Sequence, residues 1–469
     1  VLPQIKEYER ICTTVVKPYV GPALAGYLGN LERRLREAGL RSDVLVMQSH
    51  GGVASIRDSI RLAAGSVLSG PAGGIAGARR CGRLLEEGNL ITFDMGGTST
   101  DIALIEAGEP QLSADKTVAG ARIALPTIDI HTLGAGGGSI ARVDAGGILH
   151  VGPQSAGAFP GPACYGRGGT APTVTDANLV LGYLDPENFL GGRARLDADA
   201  AAKSTDALSR QFGGSREETA DGICRVVNTN MAEGIWVVSV RRGVDPRRFT
   251  LLAFGGAAGL HATGVARMLE INRVVVPRTA AVLSAWGMLA GDLRWEYVRT
   301  CITAADDNAC GMLRDALRAM ETDGRARIGE GFSGTVEFRR SLDMRLGEQI
   351  FEIDVPLTGL ALDDPKLMAA VRERFHRRHE ELYGYSSPQR EPMIVNARLA
   401  IVGVLPSVPL EPVLQKGAAA RPSGERKAYL SGWVPVPVYD FDRLSPGAMI
   451  AGPAIFESAT TTVLIRDGE

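Results

Sequence analysis

The chain has 469 residues, 45% of them hydrophobic and 22% charged, as expected of a soluble globular protein with a large core. Its formal net charge of −2 excludes a global positive field that would attract nucleic acid or an acidic membrane. The apolar runs, such as 274–276, are too short to cross a bilayer, and no signal-like stretch opens the chain. The six cysteines are scattered, with no CxxC pair, which argues against a zinc ribbon or a disulfide scaffold. We therefore expect a cytoplasmic protein that binds neither nucleic acid nor membrane.

The first 300 residues alternate between predicted helices, strands and glycine-rich turns, which indicates an α/β fold. Clustered glycines flanked by apolar segments are typical of tight loops where the backbone approaches a ligand or another backbone. In chain order the predicted elements are a helix at 27–40, a strand at 44–48, a helix at 69–81, strands at 90–93 and 100–105, strands at 123–132 and 140–143 around a glycine loop at 134–138, an irregular loop at 153–173, a helix at 220–242, a strand at 249–254, a helix at 261–269 and a strand at 274–276.

The sequence pattern changes after about residue 300, where predicted charged helices and longer strands replace the glycine clusters. We predict three consecutive regions: an ATPase domain at 1–300 with a loop-rich insert at about 119–192, an α+β domain at 301–405, and a β-rich region at 406–469 that is truncated. The elements predicted beyond 300 are helices at 312–328 and 365–383, a hairpin of strands at 337–346 and 349–355, a strand at 395–403, a linker at 415–425, and strands at 434–438, 454–456 and 460–465.

The strongest motif is 93–101, which reads Phe-Asp-Met-Gly-Gly-Thr-Ser-Thr-Asp. Two glycines permit a tight turn whose consecutive backbone N–H groups form a nest for an anion, and three hydroxyl residues add donors. An ordinary hairpin capped by hydroxyls is the alternative, but an aspartate at both ends favours phosphate binding. The predicted phosphate contacts are Gly96, Gly97, Thr98, Ser99 and Thr100.

The two aspartates of this motif, Asp94 and Asp101, are the predicted catalytic residues. They stand at the two rims of the turn, beside the expected phosphate. One carboxylate can hold a hydrated Mg²⁺, and the other can orient a water molecule or a substrate proton.

A second motif, at 251–262, joins a buried strand through a diglycine to the start of a helix. This arrangement suits the close approach of a flat or anionic group to a helix N-terminus. Its spacing is not Gly-x-Gly-x-x-Gly, which weakens a dinucleotide-binding interpretation. The alternative to ligand binding is that the glycines only allow the helix to pack closely on the strand. Gly255, Gly256 and Ala257 are the predicted nucleotide contacts.

The two motifs, in this order, resemble the sugar kinase/Hsp70/actin superfamily, in which such a hairpin holds phosphates and a later diglycine holds adenosine. More specifically, the chain resembles the hydantoinase A family, whose members include N-methylhydantoinase, 5-oxoprolinase and subunits of ketone carboxylases. The resemblance covers nearly the whole chain and is carried by the stretches 9–15, 69–78, 93–101, 131–140, 161–166, 173–178, 254–262 and 375–385.

This resemblance implies an actin-like ATPase fold, ATP with Mg²⁺ or another divalent metal, a hydantoinase B-type partner subunit or domain, and an oligomer. The family also carries an N-terminal domain with another Gly-Gly-Thr hairpin, which this sequence lacks. We therefore expect a fragment, or one piece of a split enzyme, that is inactive alone.

Two carboxylates and two imidazoles stand beside the glycine turns and are a candidate mixed oxygen–nitrogen ligand set for a divalent metal. They are far apart in the sequence, so their spacing proves nothing, and each is equally suited to a core or capping role. The resemblance tips the balance toward a metal site. The predicted ligands are Asp129, His131, Asp176 and His261.

Other reactive residues carry weaker signals. Cys164 is a possible nucleophile, but a buried structural thiol is favoured. His376 and His379 share a helix face, yet the neighbouring arginines would repel a metal cation. His50, before Gly51-Gly52, is suited either to lining a substrate cleft or to capping a turn, and the sequence does not choose.

The leading functional hypothesis is ATP-dependent hydrolysis of a cyclic amide, such as a hydantoin, 5-oxoproline or a related lactam, through phosphorylation of its carbonyl oxygen. The alternative enzyme is the ATP-dependent subunit of an acetone- or acetophenone-type ketone carboxylase. A non-catalytic, actin-like nucleotide-binding module is the alternative of another class. The loop-rich insert argues against that module, and the long C-terminal regions have no role in a plain sugar kinase.

Overall fold

A computed structural model describes residues 7–113, 116–118, 120–240, 242–329, 332–347, 349–406 and 420–469. These residues fall into two compact units, each assembled from separate stretches of the chain. The first unit consists of Val1–Ala76, Leu112–Ile128 and Met288–Val408, and the second of Gly77–Gln111, Asp129–Gly287 and Pro409–Glu469.

The helices agree with most of the predicted ones but often extend further. The first is much longer than predicted, because Pro18 and Pro22, which normally break a helix, lie inside it with their side chains exposed. The α-helices are Glu7–Glu37, Ile56–Arg61, Ser69–Leu85, Val174–Val180, Ala198–Phe212, Arg216–Val240, Ala262–Met268, Leu283–Met288, Ala309–Ile328 and Leu367–Tyr383.

The first unit is built on a six-stranded sheet. Its long strand Pro392–Gly403 pairs antiparallel with a neighbour on each side. One sheet face packs against the helices Ala309–Ile328 and Leu367–Tyr383 through a shared apolar core that includes Leu342, Leu399 and Phe375. The strands, in spatial order, are Leu45–Met47, Val53–Ser55, Leu293–Ala304, Pro392–Gly403, Val336–Leu346 and Ile353–Pro356. Two short pairs complete this unit: Leu112–Ser113 with Thr127–Ile128, and Lys116–Val118 with Ala121–Ile123.

The second unit contains the sheet that positions both glycine motifs. Leu90–Met95 pairs antiparallel with Thr100–Glu106 and parallel with Thr250–Phe254. Because parallel strands end at the same edge of a sheet, the turn after Met95 and the diglycine after Phe254 emerge side by side. The spatial order is His131–Leu133, Thr100–Glu106, Leu90–Met95, Thr250–Phe254 and Val274–Val275, with Glu109–Pro110 paired to Thr100–Glu106.

The helix Arg216–Val240 buries the apolar face that its sequence predicts. Ile223, Val227, Met231 and Ile235 recur every four residues, and all are fully buried. They join the core that contains Phe93 and Leu251 from the sheet. Helical spacing of apolar residues therefore identified this element and its packing face correctly.

The C-terminal strands share this core. Ala428, Val436, Ile455 and Leu464 pack in the same cluster as Phe93. The structure thus groups the chain into two discontinuous units where the sequence suggested three consecutive regions, because long-range packing is invisible in local composition. The strands, in order, are Gly424–Tyr429, Trp433–Asp440, Ala454–Glu457 and Thr462–Ile465, and a further hairpin joins Ser139–Val143 to Leu149–Ser155. Of the predicted linker 415–425, residues 415–419 lie outside the described residues.

The predicted α/β class is confirmed by these mixed sheets and their helices. No helix among the described residues is both long and apolar enough to cross a membrane.

Candidate phosphate and nucleotide site

The predicted phosphate loop is a β-hairpin. Asp94 lies directly opposite Asp101 in the antiparallel ladder, and Met95 lies opposite Thr100. The backbone N–H of Gly96 donates to the carbonyl of Ser99 at 3.1 Å and closes the turn. The predicted hairpin and the position of its glycines are therefore confirmed.

The tip of this hairpin is open to solvent. Gly97 and Thr98 are exposed and Ser99 is half-buried. Within the described part of the chain, the backbone N–H groups of these three residues donate no hydrogen bond. Consecutive free N–H groups of this kind attract an anion. The turn therefore has the donor geometry that a phosphate group needs.

Thr100 behaves differently from the other hydroxyl residues of the motif. Its side chain is fully buried, and its hydroxyl donates to the carbonyl oxygen of Ala135 at 2.6 Å. Thr100 is the first residue of the returning strand, where side chains alternate between the two faces of the sheet. Its hydroxyl thus anchors a neighbouring loop, whereas Thr98 at the tip remains accessible.

The two rim carboxylates oppose each other across the hairpin. Burial and, next, the charge of Asp101 raise the pKa of Asp94 to about 6, although a hydrogen bond from Ser284 opposes this rise. Burial also raises the pKa of Asp101, against a hydrogen bond from the Thr132 hydroxyl at 2.5 Å. Like charges directly opposite each other destabilise a sheet. A cation or a proton bound between the two carboxylates would relieve this repulsion.

The glycine loop at 134–138 buttresses the hairpin turn. The N–H groups of Gly137 and Gly138 donate to the carbonyls of Gly96 and Gly97 at 3.0 and 2.6 Å. A Cβ atom on Gly136 would lie 2.7 Å from the carbonyl carbon of Thr98, so a side chain there would displace the turn. This loop therefore holds the hairpin turn in place.

The diglycine loop lies against the other side of the hairpin. Gly255 has a φ of +86°, and a Cβ atom there would stand 2.4 Å from the carbonyl oxygen of Met95 and 2.6 Å from a carboxylate oxygen of Asp94. The N–H of Ala257 donates to the same Met95 carbonyl at 3.1 Å. Gly256 is exposed. The two glycine pairs thus lie close together, and glycine is required at 255 because only it fits this contact and this φ.

The four predicted metal ligands do not come together. Among the described residues, no group of three or more histidine, cysteine, aspartate or glutamate side chains is arranged to hold a metal ion. Asp129 forms an ion pair with Arg242, and His131 begins the edge strand His131–Leu133. Apart from the resemblance, proximity to a glycine turn was the sequence signal that linked the four, and it does not fix the direction of a side chain.

Asp176 is a structural carboxylate. It is fully buried and forms a capping box with Thr173 at the start of the helix Val174–Val180. It also accepts the backbone N–H groups of Ala163 and Cys164 at 3.2 and 2.7 Å. Both of its oxygens are thus occupied by donors within the fold, as in the capping alternative that the sequence left open.

His261 is likewise held by its neighbours. Its Nδ1 lies 2.8 Å from the amide oxygen of Asn228, and its Nε2 lies 3.2 Å from the amide nitrogen of Asn178. The Asn228 oxygen can only accept, so Nδ1 carries the proton. Burial, with a contribution from Arg466, lowers the pKa of His261 to about 4, so the ring is neutral at physiological pH.

The weaker candidates also have structural partners. Cys164 is fully buried, and burial strongly raises the pKa of its thiol, which suits the favoured structural role. His379 is buried, and its Nδ1 donates to the Tyr385 carbonyl at 2.9 Å. His50 accepts the N–H of Gly52 at 3.1 Å, as expected of a turn cap.

The sequence missed three contributors to this site. Thr132 and Ser284 contact the rim carboxylates from distant parts of the chain, and 457–462 lines a cavity next to Gly256. No local pattern marked these residues as neighbours of the hairpin, because only the folded sheet brings them to the glycine loops.

Comparison with family models matches residues 10–297 to the hydantoinase/oxoprolinase family and residues 304–469 to the hydantoinase/oxoprolinase C-terminal domain. The two matches together cover nearly the whole chain. They meet near residue 300, where the glycine clusters give way to predicted charged helices and longer strands.

Similar proteins include caprolactamase subunit alpha from Pseudomonas jessenii, which is 39% identical over 100% of this chain and 69% of its own length. The acetone carboxylase beta subunit from Xanthobacter autotrophicus is 30% identical over 99% of this chain and 67% of its own. The 5-oxoprolinase PfmaA from Pestalotiopsis fici is 32% identical over 99% of this chain and 37% of its own. The crystal structure of the ATP-dependent caprolactamase from Pseudomonas jessenii matches the fold over the whole chain, with 38% identity, a TM-score of 0.88 and 69% of that chain covered.

Proposed function

The chain belongs to the hydantoinase/oxoprolinase family, and from this premise we propose that it supplies the ATP site of an enzyme that opens a cyclic amide by phosphorylating its carbonyl oxygen. The observation that carries the proposal is the hairpin 94–101, where free N–H groups at the tip adjoin two opposed carboxylates. A polyphosphate and its cation together satisfy both features. The caprolactamase and 5-oxoprolinase relatives support the cyclic-amide class.

In this proposal the hairpin tip binds the phosphates. The N–H groups of Gly97, Thr98 and Ser99 donate to phosphate oxygens, and the loop at 134–138 keeps the turn rigid. Preorganised donors of this kind stabilise charge without having to reorient during the reaction. The backbone therefore supplies most of the phosphate binding.

The rim carboxylates fit a divalent cation. Asp94 and Asp101 face each other, and burial raises the pKa of both, so their paired negative charge lacks compensation. A hydrated Mg²⁺ between them and the polyphosphate would neutralise both sides. The carboxylate that remains free would orient the attacking water or accept its proton.

The chemistry follows from amide resonance, which makes a lactam or hydantoin ring hard to open. The amide oxygen attacks the γ-phosphorus of ATP, the bond from that phosphorus to the bridging oxygen breaks, and ADP leaves. Water then adds to the activated carbon and loses a proton to the carboxylate. The carbon–nitrogen bond of the ring breaks as the nitrogen takes up a proton, which leaves an acyl phosphate. A second water then hydrolyses this acyl phosphate to the open-chain carboxylate and inorganic phosphate.

Substrate-stimulated phosphate release from the complete enzyme tests this function. We expect stimulation by one of caprolactam, 5-oxoproline or hydantoin, with one ring opened per phosphate released. An Asp101→Asn variant should abolish the stimulation, whereas Glu106→Gln, on the same strand, should not. ATP turnover that no cyclic amide stimulates would contradict the proposal.

A ketone carboxylase subunit is the second candidate, since the acetone carboxylase beta subunit is 30% identical to this chain. Stimulation by acetone or acetophenone together with bicarbonate, and not by lactams, would favour it. Nucleotide binding with no stimulated turnover by any of these compounds would favour a non-catalytic module.

We also propose that catalysis needs further protein segments. The chain spans 69% of caprolactamase subunit alpha and 37% of the 5-oxoprolinase PfmaA, and several relatives are named as subunits. A hydantoinase B-type partner and an oligomeric assembly in the cytoplasm fit this pattern. Copurification of the tagged protein with a second polypeptide, and turnover only by the assembled complex, would support it.

A further inference from the structure

We infer that Thr175 is a positioning residue for phosphate binding: its hydroxyl group begins a relay of two peptide groups that ends at the free N–H of Thr98 on the hairpin tip. This inference rests on the proposed function and extends it to a residue that does not touch the phosphate itself. Thr175 lies in the stretch 173–178, which carries part of the family resemblance but is not part of the hairpin.

The first step of the relay joins Thr175 to the glycine loop at 134–138. The carbonyl oxygen of Gly137 accepts both the backbone N–H and the hydroxyl group of Thr175, at 2.7 and 2.8 Å. Thr175 is 9% exposed, and a hydrogen bond in a buried environment is electrostatically stronger than one in water. Two donors on one oxygen fix the direction of this carbonyl more tightly than one donor would.

Planar peptide groups carry this direction to the hairpin tip. The carbonyl of Gly137 and the N–H of Gly138 belong to one trans peptide group, in which they point in opposite directions. That N–H donates to the carbonyl of Gly97 at 2.6 Å. The carbonyl of Gly97 shares the next trans peptide group with the N–H of Thr98, so this N–H points away from the glycine loop. Thr98 is exposed, and its N–H has no acceptor in the described part of the chain.

Hydrogen bonds in such a chain also strengthen one another. A donor on a carbonyl oxygen draws electron density away from the N–H of the same peptide group, which makes that N–H a better donor. The Thr175 hydroxyl therefore both directs the Thr98 N–H and strengthens it. An anion at the hairpin tip accepts this N–H and gains from both effects.

The helix that carries Thr175 is fixed in the core of the second unit. Residues 174–179 are all buried, and Val174 and Ala177 belong to the same apolar cluster as Phe93 of the hairpin strand. The hydroxyl therefore has a constant position relative to the hairpin. Donors that are preorganised in this way do not have to reorient when an anion binds.

Binding of inorganic tripolyphosphate to the complete enzyme, together with its ATP kinetics, tests the inference. Thr175→Val keeps the size of the side chain and the backbone bond to Gly137 but removes the hydroxyl. We expect the Kd of tripolyphosphate and the KM of ATP to rise about two- to tenfold, the effect of one hydrogen bond. We expect kcat to change less, because the tip holds the phosphate in the ground state and in the transition state alike. Thr175→Ser, which keeps the hydroxyl, should have the Kd and KM of the unmodified enzyme.

A matched control separates positioning from a loss of stability. Thr205 is fully buried, and its hydroxyl donates to the carbonyl of Ala201 at 2.9 Å within the helix Ala198–Phe212. Thr205→Val removes the same kind of bond, so it should lower the melting temperature as Thr175→Val does but leave Kd and KM unchanged. Hydrogen exchange gives a second readout: the amides of Gly137 and Gly138, which donate to the hairpin, should exchange faster in Thr175→Val than in Thr205→Val.

A second variant, Thr175→Ala, removes the hydroxyl without placing an extra methyl group beside the Gly137 carbonyl, and it should give the same rise in Kd and KM. Unchanged tripolyphosphate binding and ATP KM in both variants would overturn the inference, and so would an equal rise in Thr205→Val. If tripolyphosphate binds the unmodified enzyme, either result leaves the proposed function standing. If neither tripolyphosphate nor ATP binds the unmodified enzyme, the inference and the proposed function both fall.

Discussion

Two carboxylate sites in the second unit have opposite environments, although the sequence made both functional candidates. Asp176 is fully buried and receives four donors from Ala163, Cys164 and Thr173. Asp94 and Asp101 receive one hydroxyl each, from Ser284 and Thr132, and face one another. One site is satisfied by the fold, and the other is left with unbalanced negative charge.

This difference shows how a structural aspartate is distinguished from a functional one. A carboxylate that accepts several N–H groups has its charge stabilised inside the fold. Two carboxylates held opposite each other raise each other's proton affinity and cost stability. A fold that tolerates such a cost has the arrangement expected where a cation or a transferred proton completes the site.

The strongest test of this contrast replaces the rim carboxylates in the complete enzyme. Asp94→Asn and Asp101→Asn keep the shape of the turn but remove its charge, and we expect ATP turnover to fall about 10²–10⁴-fold, the usual cost of losing a general base. The melting temperature should stay constant or rise, because a repulsive charge is removed. Phosphate release and thermal melting measure the two effects, with Glu106→Gln as the control. Near-normal turnover in both variants would indicate that these aspartates only cap the hairpin and have no catalytic role.

The reverse result is expected for Asp176→Asn. Both carboxylate oxygens accept hydrogen bonds from backbone N–H groups. In either orientation of the asparagine amide, its NH₂ group would therefore face an N–H donor. We expect the free energy of unfolding to fall by about 2–4 kcal/mol, measured by urea denaturation, while kcat per folded molecule changes less than about twofold. Asp197→Asn, an exposed helix cap, is the control. A large loss of kcat without a loss of stability would show that Asp176 has a catalytic role.

The sequence predicted the hairpin and its glycines because local chemistry determines both. Gly96-Gly97 forms a turn wherever it joins two apolar strands, and the face of the helix 216–240 follows from its spacing. The sequence did not show that the four predicted metal ligands would stay apart, because Asp129 and His261 contact residues that are distant in the chain. Asp176 is held by residues 163–173, in the capping role that the sequence left open.

The pH dependence of turnover sharpens the contrast further. Since burial and Asp101 raise the pKa of Asp94 to about 6, its ionised form is lost as the pH falls through 6. We expect kcat to fall about tenfold between pH 7 and pH 5. The stability effect has the opposite sign: the cost of ionising Asp94 is present above pH 6 and is relieved below it. A pH profile of kcat checks this, and the acidic limb near pH 6 should vanish in Asp94→Asn. An unchanged limb in that variant would assign the titration to another group.

The smallest expected effect concerns Asp129, which the sequence placed among the metal ligands and the structure places beside Arg242. The two side chains are 29% and 26% exposed, so solvent screens the pair, and such pairs contribute about 1 kcal/mol or less. Asp129→Asn should therefore lower the melting temperature only slightly and leave both turnover and bound metal unchanged. Arg242→Gln, which removes the other partner of the same pair, should have a similar small effect, because an ion pair is lost equally from either side. A metal ligand would behave differently: Asp129→Asn alone would reduce the metal content of the complete enzyme, measured by elemental analysis, and Arg242→Gln would not.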